Sequence, residues 1–401
     1  MLPVQILAAV FGLGVAVTLH VGLARLLPTE QFALYGLALS VQHFGMIFQD
    51  GGFRTLMLRE ETRRTPGFPL SPSELLRQAV GHAGAVTLAG LLLVLLVPGL
   101  REFAWLMVLA LAGGFTKTAT ALVSSILFAR SEFLAEARWQ TIGRIAGLAA
   151  AFAGAFVLAQ SAWGVFAALL IAQAVFLAPV WHGVSLLPAR LRFDRQVYLT
   201  ALPFVTTSLL TALYFRTGAF FLYRHDPDLV QLAHFSLGHR LLDAAIFVMA
   251  PAAQMLFVRL RSNTGASRQI SNAAAWIAAY LALAVSAIML ARLMGEPVVV
   301  ALAGPAYAGA GALLPWFGLV LALAMPNFLL MQAHLAENRD RVILRSSVLA
   351  AASGLIANAL LVPRLGALGA TIALVVSEAV QLASLAVGPW HRTGGADACE
   401  R

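Results

Sequence analysis

The sequence predicts an all-α polytopic membrane protein, with about twelve transmembrane helices arranged as two six-helix lobes. Three observations lead there: an apolar composition, a succession of apolar runs near membrane-spanning length, and arginines gathered on alternate loops. The 401 residues are 60% hydrophobic and 11% charged, with a mean hydropathy of +0.84. A soluble domain has too little interior to hide that much apolar surface. The net charge of +9 is almost wholly arginine, Lys117 being the only lysine. In an apolar chain such an excess marks the loops of one membrane side rather than a nucleic-acid surface. The single cysteine, Cys399, lies in the terminal tail and excludes a disulfide framework or a thiolate metal cluster. The first apolar run lacks a basic leader and a small-residue cleavage site, so it is read as a retained span and not a signal peptide.

A helix needs about 20 apolar residues to cross the hydrocarbon layer. The first lobe, 1–188, supplies spans at 3–27, 32–56, 77–98, 103–129, 139–160 and 163–187. Residues 58–76 form the longest connection, a basic surface loop. The linker 189–197, within "LLPARLRFDRQVY", is short and basic and joins the lobes on the same side. The second lobe, 198–389, supplies spans at 198–223, 229–257, 270–291, 311–335, 342–363 and 366–388, with Pro203 early in its first span. Residues 292–310 admit three fates: helix extension, re-entry or a surface position. The tail 390–401 is polar and expected to be disordered and cytoplasmic. Trp105, Trp163, Trp316 and Trp390 near span ends suit an aromatic belt.

One side of the membrane collects Arg59, Arg63, Arg64, Arg77, Arg130, Arg138, Arg190, Arg192, Arg195, Arg259, Arg261, Arg268, Arg339, Arg341 and Arg345. The other has little beyond Arg25, Arg101, Arg224, Arg292 and Arg364. The positive-inside rule therefore places both termini in the cytoplasm, and an even number of spans agrees. The chain also echoes itself. "EQFALYGLALS" from Glu30 is faintly repeated by "DLVQLAHFSLG" from Asp228, and "WGVFAALLIAQAV" from Trp163 by "LGATIALVVSEAV" from Leu368. Both separations are about half the chain. Six helices per repeat is an even number, so the lobes keep one orientation and are related by a pseudo-two-fold axis along the membrane normal.

Ionisable groups near the bilayer centre cost on the order of 2.5–3.5 kcal/mol each, so depth selects the residues that need explaining. Lys117, Arg240 and Glu378 lie near mid-span, as do Gln42 and His43. No short slide along a helix brings these groups to water, so they require a polar cavity or buried partners. Lys117 and Arg240 are read as the floor of a cationic cavity, or as halves of interhelical ion pairs. His239, Arg240 and Asp243 share a helix face by their spacing. They form either a self-neutralised network or a proton-responsive element. Glu378 is a candidate for ion coupling or for a pair with another span, within reach of Arg144. Arg216 is either an exit-side phosphate contact or an interfacial anchor. His20, His82 and His234 lack partners at metal-ligand spacing and are expected to be structural.

The stretch "FQDGGFR" has a different logic. Asp50 lies about 27 Å along the second span and so at its boundary. Asp50 and Arg54 are four apart with the acid first, as a helical ion pair prefers. Gly51 and Gly52 between them permit a bend or a close helix contact. The segment is read as a hinge or gate, or as a plain helix end.

"ARLLPTEQFALYGLALS" with the following "QDGGF", "GPAYAGAGALLPW" and "NALLVPRLGALGATIALVVSE" resemble one family. It is the polysaccharide (O-antigen, Wzx-type) flippases of the multidrug/oligosaccharidyl-lipid/polysaccharide exporter superfamily. The resemblance covers nearly the whole chain. It implies a MATE-like two-lobe fold in the bacterial inner membrane, and alternating access around a cationic cavity. The implied cargo is an undecaprenyl-pyrophosphate-linked oligosaccharide, with membrane lipids, a polysaccharide polymerase and glycosyltransferases as further partners. Where that family often has an acid in the seventh span, this chain has Arg216, Thr217 and Gly218. The second-lobe echo has Gln231, Leu232 and Ala233 in place of the usual Gly-Leu-Tyr.

No phosphate-binding loop ending in Lys-Ser or Lys-Thr, nucleophile elbow or zinc-binding His-Glu-x-x-His is present, and no cofactor is implied. That argues against an ATPase, and against a membrane-embedded glycosyltransferase, polymerase or ligase. A multidrug antiporter of the same superfamily is the nearer rival, since cationic drugs call for an acidic cavity and an anionic lipid for a basic one. A non-transporting scaffold has little reason to place charges at mid-membrane in both lobes.

Overall fold

A backbone crossing lipid has to satisfy its N–H and C=O groups internally, and the described residues are helices and short connections with no strand among them. The computed structural model describes residues 2–62, 68–96, 104–158, 160–183, 194–262, 270–336 and 339–387. The side chains of 2–9, 179–183, 247–262 and 270–279 are among those outside the description. The first half contains α1 (Leu2–Leu26), α2 (Thr29–Asp50), α3 (Phe53–Thr62), α4 (Pro72–Leu96), α5 (Ala104–Ala129), α6 (Phe133–Val157) and α7 (Ala162–Gly183). The second contains α8 (Arg195–His225), α9 (Val230–Ser262), α10 (Ile270–Ala303), α11 (Ala308–Ala336) and α12 (Asp340–Ala386). Among the described residues seven helices are long and apolar enough to cross a membrane, and one of their apolar segments, Arg341–Ala386, has 46 residues. That segment is about 69 Å of helix, twice the hydrocarbon thickness.

Two elements depart from the simple succession of spans. The expected second span, 32–56, is cut in two. Gly51 takes φ +55° and donates its N–H to the Ile47 carbonyl (3.1 Å), the left-handed closure that ends α2, and Gly52 follows at φ +77°. Conversely, the last two spans form the two arms of α12, which turns at Gly366 (φ +55°, ψ −130°), three residues after Pro363. Gly354 of one arm packs on Ser377 of the other, so the arms run antiparallel, as two spans. Residues 292–310 extend a helix: α10 continues through Pro297 to Ala303, and Gly304 (φ +101°) turns the chain into a single 3-10 turn, Pro305–Tyr307, before α11. Most of the linker 189–197, and the whole tail 390–401, fall outside the described residues. The linker's last residues are structured, with the Asp194 carboxylate capping α8 by accepting from the Gln196 N–H (2.8 Å).

Within the first half α2 packs on α4 and α5, α5 on α7, and α6 on α1 and α7. Within the second, α8 packs on α12, and α11 on α9, α10 and α12. The halves meet where α1 and α2 lie against α9, and α2 against α8. One buried cluster crosses this contact, bringing Phe32, Tyr35 and Leu37 together with Leu232, Phe235 and Phe317.

The internal repeat has a structural counterpart. The Gln31 side-chain carbonyl accepts from the Ala162 N–H at the start of α7 (3.1 Å). The Gln231 carbonyl accepts from the Ala367 N–H at the start of the second arm of α12 (3.2 Å). Each half thus ties its second span to its sixth by the same bond. The register follows: Gln31 corresponds to Gln231, which shifts the alignment of Glu30 with Asp228 by two residues. In that register Gly36 corresponds to Ser236, and the two touch, as equivalent residues beside a two-fold axis do. A Cβ on Gly36 would collide with the Ser236 side chain, so glycine is what lets α2 and α9 approach there.

Candidate functional site: a buried arginine–aspartate cluster between the halves

Helical spacing places His239, Arg240 and Asp243 on one face of α9, and α8 brings Arg216 to meet them. Arg216 binds the Asp243 carboxylate through both terminal nitrogens (2.8 and 3.1 Å). Arg240 reaches the same carboxylate through one nitrogen (2.9 Å). The His239 Nε2 lies 2.8 Å from the Phe215 carbonyl. A carbonyl only accepts, so Nε2 carries the hydrogen, and Nδ1 accepts from Arg216 at 3.1 Å. His239 Nδ1 also lies 3.5 Å from an Asp243 oxygen, so the ring stands beside both Arg216 and the acid. Spacing places three of these groups on one face, and the structure adds a fourth around the same carboxylate. That fourth member sits on another helix, beyond the reach of any spacing argument. Arg216, read from sequence as an exit-side phosphate contact or an interfacial anchor, is instead buried and held by Asp243.

The first half supplies the rest. Lys117 on α5 donates to the Gln42 side-chain carbonyl on α2 (2.7 Å), a neutral partner. Lys117 also lies within electrostatic range of Arg240, so the two mid-span cations share one region. His20 feels Lys117, Arg216, Arg240 and Asp243 together, and His43 feels Arg216, His239, Arg240 and Asp243. Tyr35 faces Arg240 and approaches His20 Nδ1 with its hydroxyl (3.4 Å). His20, expected from sequence to be structural, and Tyr35, which the sequence does not single out, both border this region. The signal that finds such groups is depth: Gln42 and His43 were legible because polar side chains at mid-span need a polar neighbourhood.

Among the described residues three cations stand against one acid here, an excess of positive charge in a low-dielectric region. The Nε atoms of Arg216 and Arg240 are buried, and neither has an acceptor among the described residues. Asp243 keeps 27% of its side chain exposed, so the cluster opens onto space rather than being sealed in packing.

Glu378 does not join this cluster. It is buried between α11 and α12, where the Asn327 amide donates both to its carboxylate (2.6 Å) and to its backbone carbonyl (2.8 Å). Nearby, Tyr214 donates to Gln381 (2.8 Å). Tyr214 and Arg216 are two residues apart and so about 200° apart around α8, which lets one helix serve both places. Arg144, expected to reach Glu378, lies on α6 with Glu136 as its acidic neighbour.

At the α2–α3 break the carboxylate of Asp50 accepts from the backbone N–H groups of Gly52 and Arg54 (both 3.2 Å). It caps α3, and Arg54 meets it through its backbone N–H and by charge, across a helix that stops between the two residues. Arg54 points outward, exposed. Gly52 packs so closely on the Ala201 carbonyl that a Cβ would come within 2.7 Å of it, which makes the glycine pair a contact between the halves.

No family model matches the chain, and no curated protein matches it. Solved structures do. The chain is similar to a lipid II flippase, MurJ, in an inward closed conformation (TM-score 0.66, 12% identity, 94% of this chain and 86% of that one covered). It is similar to a MOP-superfamily transporter from Pyrococcus furiosus whose binding pocket is described as having reverse polarity (TM-score 0.58, 12% identity, 96% and 94% covered). A third likeness is to the Vibrio cholerae MATE transporter VcmN (TM-score 0.55, 16% identity, 95% and 94% covered). At these identities the likeness establishes the fold: a MATE-like, multi-pass helical membrane protein.

Proposed function

We propose that this protein is a flippase that moves a lipid-linked oligosaccharide with a pyrophosphate carrier across the bacterial inner membrane, with both termini in the cytoplasm. Two lobes, 1–188 and 198–389, alternate access to a cationic site between them. One observation carries the reading: a net-positive cluster of Lys117, Arg216 and Arg240 where the halves meet. An anionic headgroup suits such a site, and a guanidinium binds phosphate oxygens in pairs. Arg216 holds Asp243 by two bonds and Arg240 by one. Arg240 is therefore the guanidinium that turns toward substrate phosphate, beside Lys117, while Arg216 keeps the acid in place. The shared fold with a lipid II flippase supports a lipid-borne cargo. The shared fold with a multidrug transporter favours a drug antiporter as the second reading, but excess positive charge at the centre opposes a cationic drug.

Glu378, whose hydrogen-bonding neighbours Asn327 and Tyr214 are neutral, is the coupling candidate in the second lobe, and His239 and Asp243 serve to position Arg216. The deciding experiment is the double variant Lys117→Ala, Arg240→Ala. Surface-polysaccharide export is expected to cease, with lipid-linked oligosaccharide accumulating and the protein still abundant in the membrane. Normal export from that variant sinks the proposal. Glu378→Gln is expected to slow export without abolishing it.

A further inference from the structure

Outside the central cluster, the face of α2 turned away from it carries a groove of about 1010 Å³. Phe44 and Phe48 of α2 form its floor, Ala89 and Leu93 of α4 one wall, and Leu202 and Phe220 of α8 the other. Phe48, Ala89, Leu93 and Leu202 are exposed, so the groove is open to the surroundings of the protein along its length. Inward it is closed: the rings of Phe44 and Phe220 meet at 5.8 Å where α2 packs on α8. A molecule lying here does not reach Arg216 or Lys117 and is not cargo on its way to them.

The lining has a direction. From Leu37 to Gly51 along α2 the groove runs about 21 Å, more than the roughly 15 Å of one leaflet's hydrocarbon. His82, Tyr198 and Arg195 gather at the end beside the Gly51–Gly52 break, while Tyr223 lies further along α8. His82 Nε2 donates to the Phe48 carbonyl (2.9 Å), which leaves Nδ1 to accept from the Tyr198 hydroxyl (3.3 Å). Arg195 stands exposed at that same end, while the neighbouring Asp194 carboxylate is occupied in capping α8. The glycine pair is what shapes this end. A Cβ on Gly51 would fall 2.5 Å from His82 Nε2, and Gly52 packs on the Ala201 carbonyl of α8.

An apolar lining alone gives a lipid chain no preference over bulk lipid, because lipid tails are as apolar as the lining itself. Selection has to come from shape and from the one cationic end. We propose that this groove is a site for an anionic glycerophospholipid of the leaflet adjoining the Gly51–Gly52 break, with one acyl chain along α2 and the phosphate at Arg195. Its chain lies between α4 of the first half and α8 of the second, so an occupant is a wedge between the two halves. The site is separate from the cargo site and stands whether or not the cargo is an oligosaccharide lipid.

The test uses the full-length protein in vesicles carrying a photoactivatable diazirine-tailed phosphatidylglycerol, and in matched vesicles carrying the phosphatidylcholine analogue. Peptide mapping is expected to place the phosphatidylglycerol label on α4 and α8 residues of the groove, above the level given by phosphatidylcholine. Arg195→Gln is expected to lower the phosphatidylglycerol label about fivefold, the effect of one arginine on an anionic lipid, and to leave the phosphatidylcholine label unchanged. Ala89→Trp, at an exposed position on the wall, is expected to remove the groove label for both lipids while the protein elutes as wild type does. Equal labelling by the two headgroups, label spread evenly over the lipid-facing helices, label concentrated near Lys117, or indifference to both variants overturns the proposal.

Discussion

α2 and α9 are equivalent helices that have been given different work. Both carry in their first turn a glutamine that accepts from the first N–H of the sixth span of its half, and they touch at Gly36 and Ser236. One turn further on they part. Where α9 has His239, Arg240 and Asp243, the same register on α2 has Leu39, Ser40 and His43. The scaffold is symmetric because backbone bonds and close packing tolerate few alternatives. The charges are not, because only one site along the axis has to be charged. The first half answers with Lys117 from α5 and with the neutral groups Gln42 and Tyr35, so the electrostatics of the centre are built jointly and unequally.

Breaking the charged side of this comparison has the largest expected effect. Asp243→Asn leaves Arg216 and Arg240 without their carboxylate. Losing one partner of a buried pair costs about 3–5 kcal/mol, seen as a large fall in the thermal unfolding temperature in detergent. Next comes the hairpin of α12. Gly366 occupies backbone space that a side chain disfavours, so Gly366→Ala is expected to cost about 1–3 kcal/mol by the same measurement. The symmetric side is sharpened by Gln31→Ala and Gln231→Ala. Each loses one hydrogen bond, about 1 kcal/mol, and the two losses are expected to match and to add, since the sites lie in different halves. A marked inequality would mean that the two bonds are not equivalent. The smallest effect belongs to Arg54→Ala. The residue is exposed and the Asp50 cap uses its backbone N–H, so stability should change by no more than about 0.5 kcal/mol.

Much of this was legible beforehand where the cause is local. Apolar run length gave the spans, and depth alone picked out Lys117, Arg240, Glu378, Gln42 and His43 as groups needing polar surroundings. What escaped was relational. Spacing put His239, Arg240 and Asp243 on one face but gave no hint that Arg216, on the preceding helix, completes the set. Asp50 and Arg54 were read as a helical pair because spacing rules assume an unbroken helix, and two glycines at positive φ broke it. Glu378 was matched with Arg144 by supposed reach. Asn327 is its partner because α11, rather than α6, packs on α12.

The sequence by itself determined that this chain is helical, apolar and repeated, with cations at mid-membrane. A span's length and a side chain's depth are properties of one segment in lipid. Tertiary structure decided which of those cations are neutralised, which face a shared centre, and where α2 stops. Those outcomes depend on which helix lies beside which, and apolar helices in lipid choose neighbours by shape and hydrogen bonds that no single segment contains.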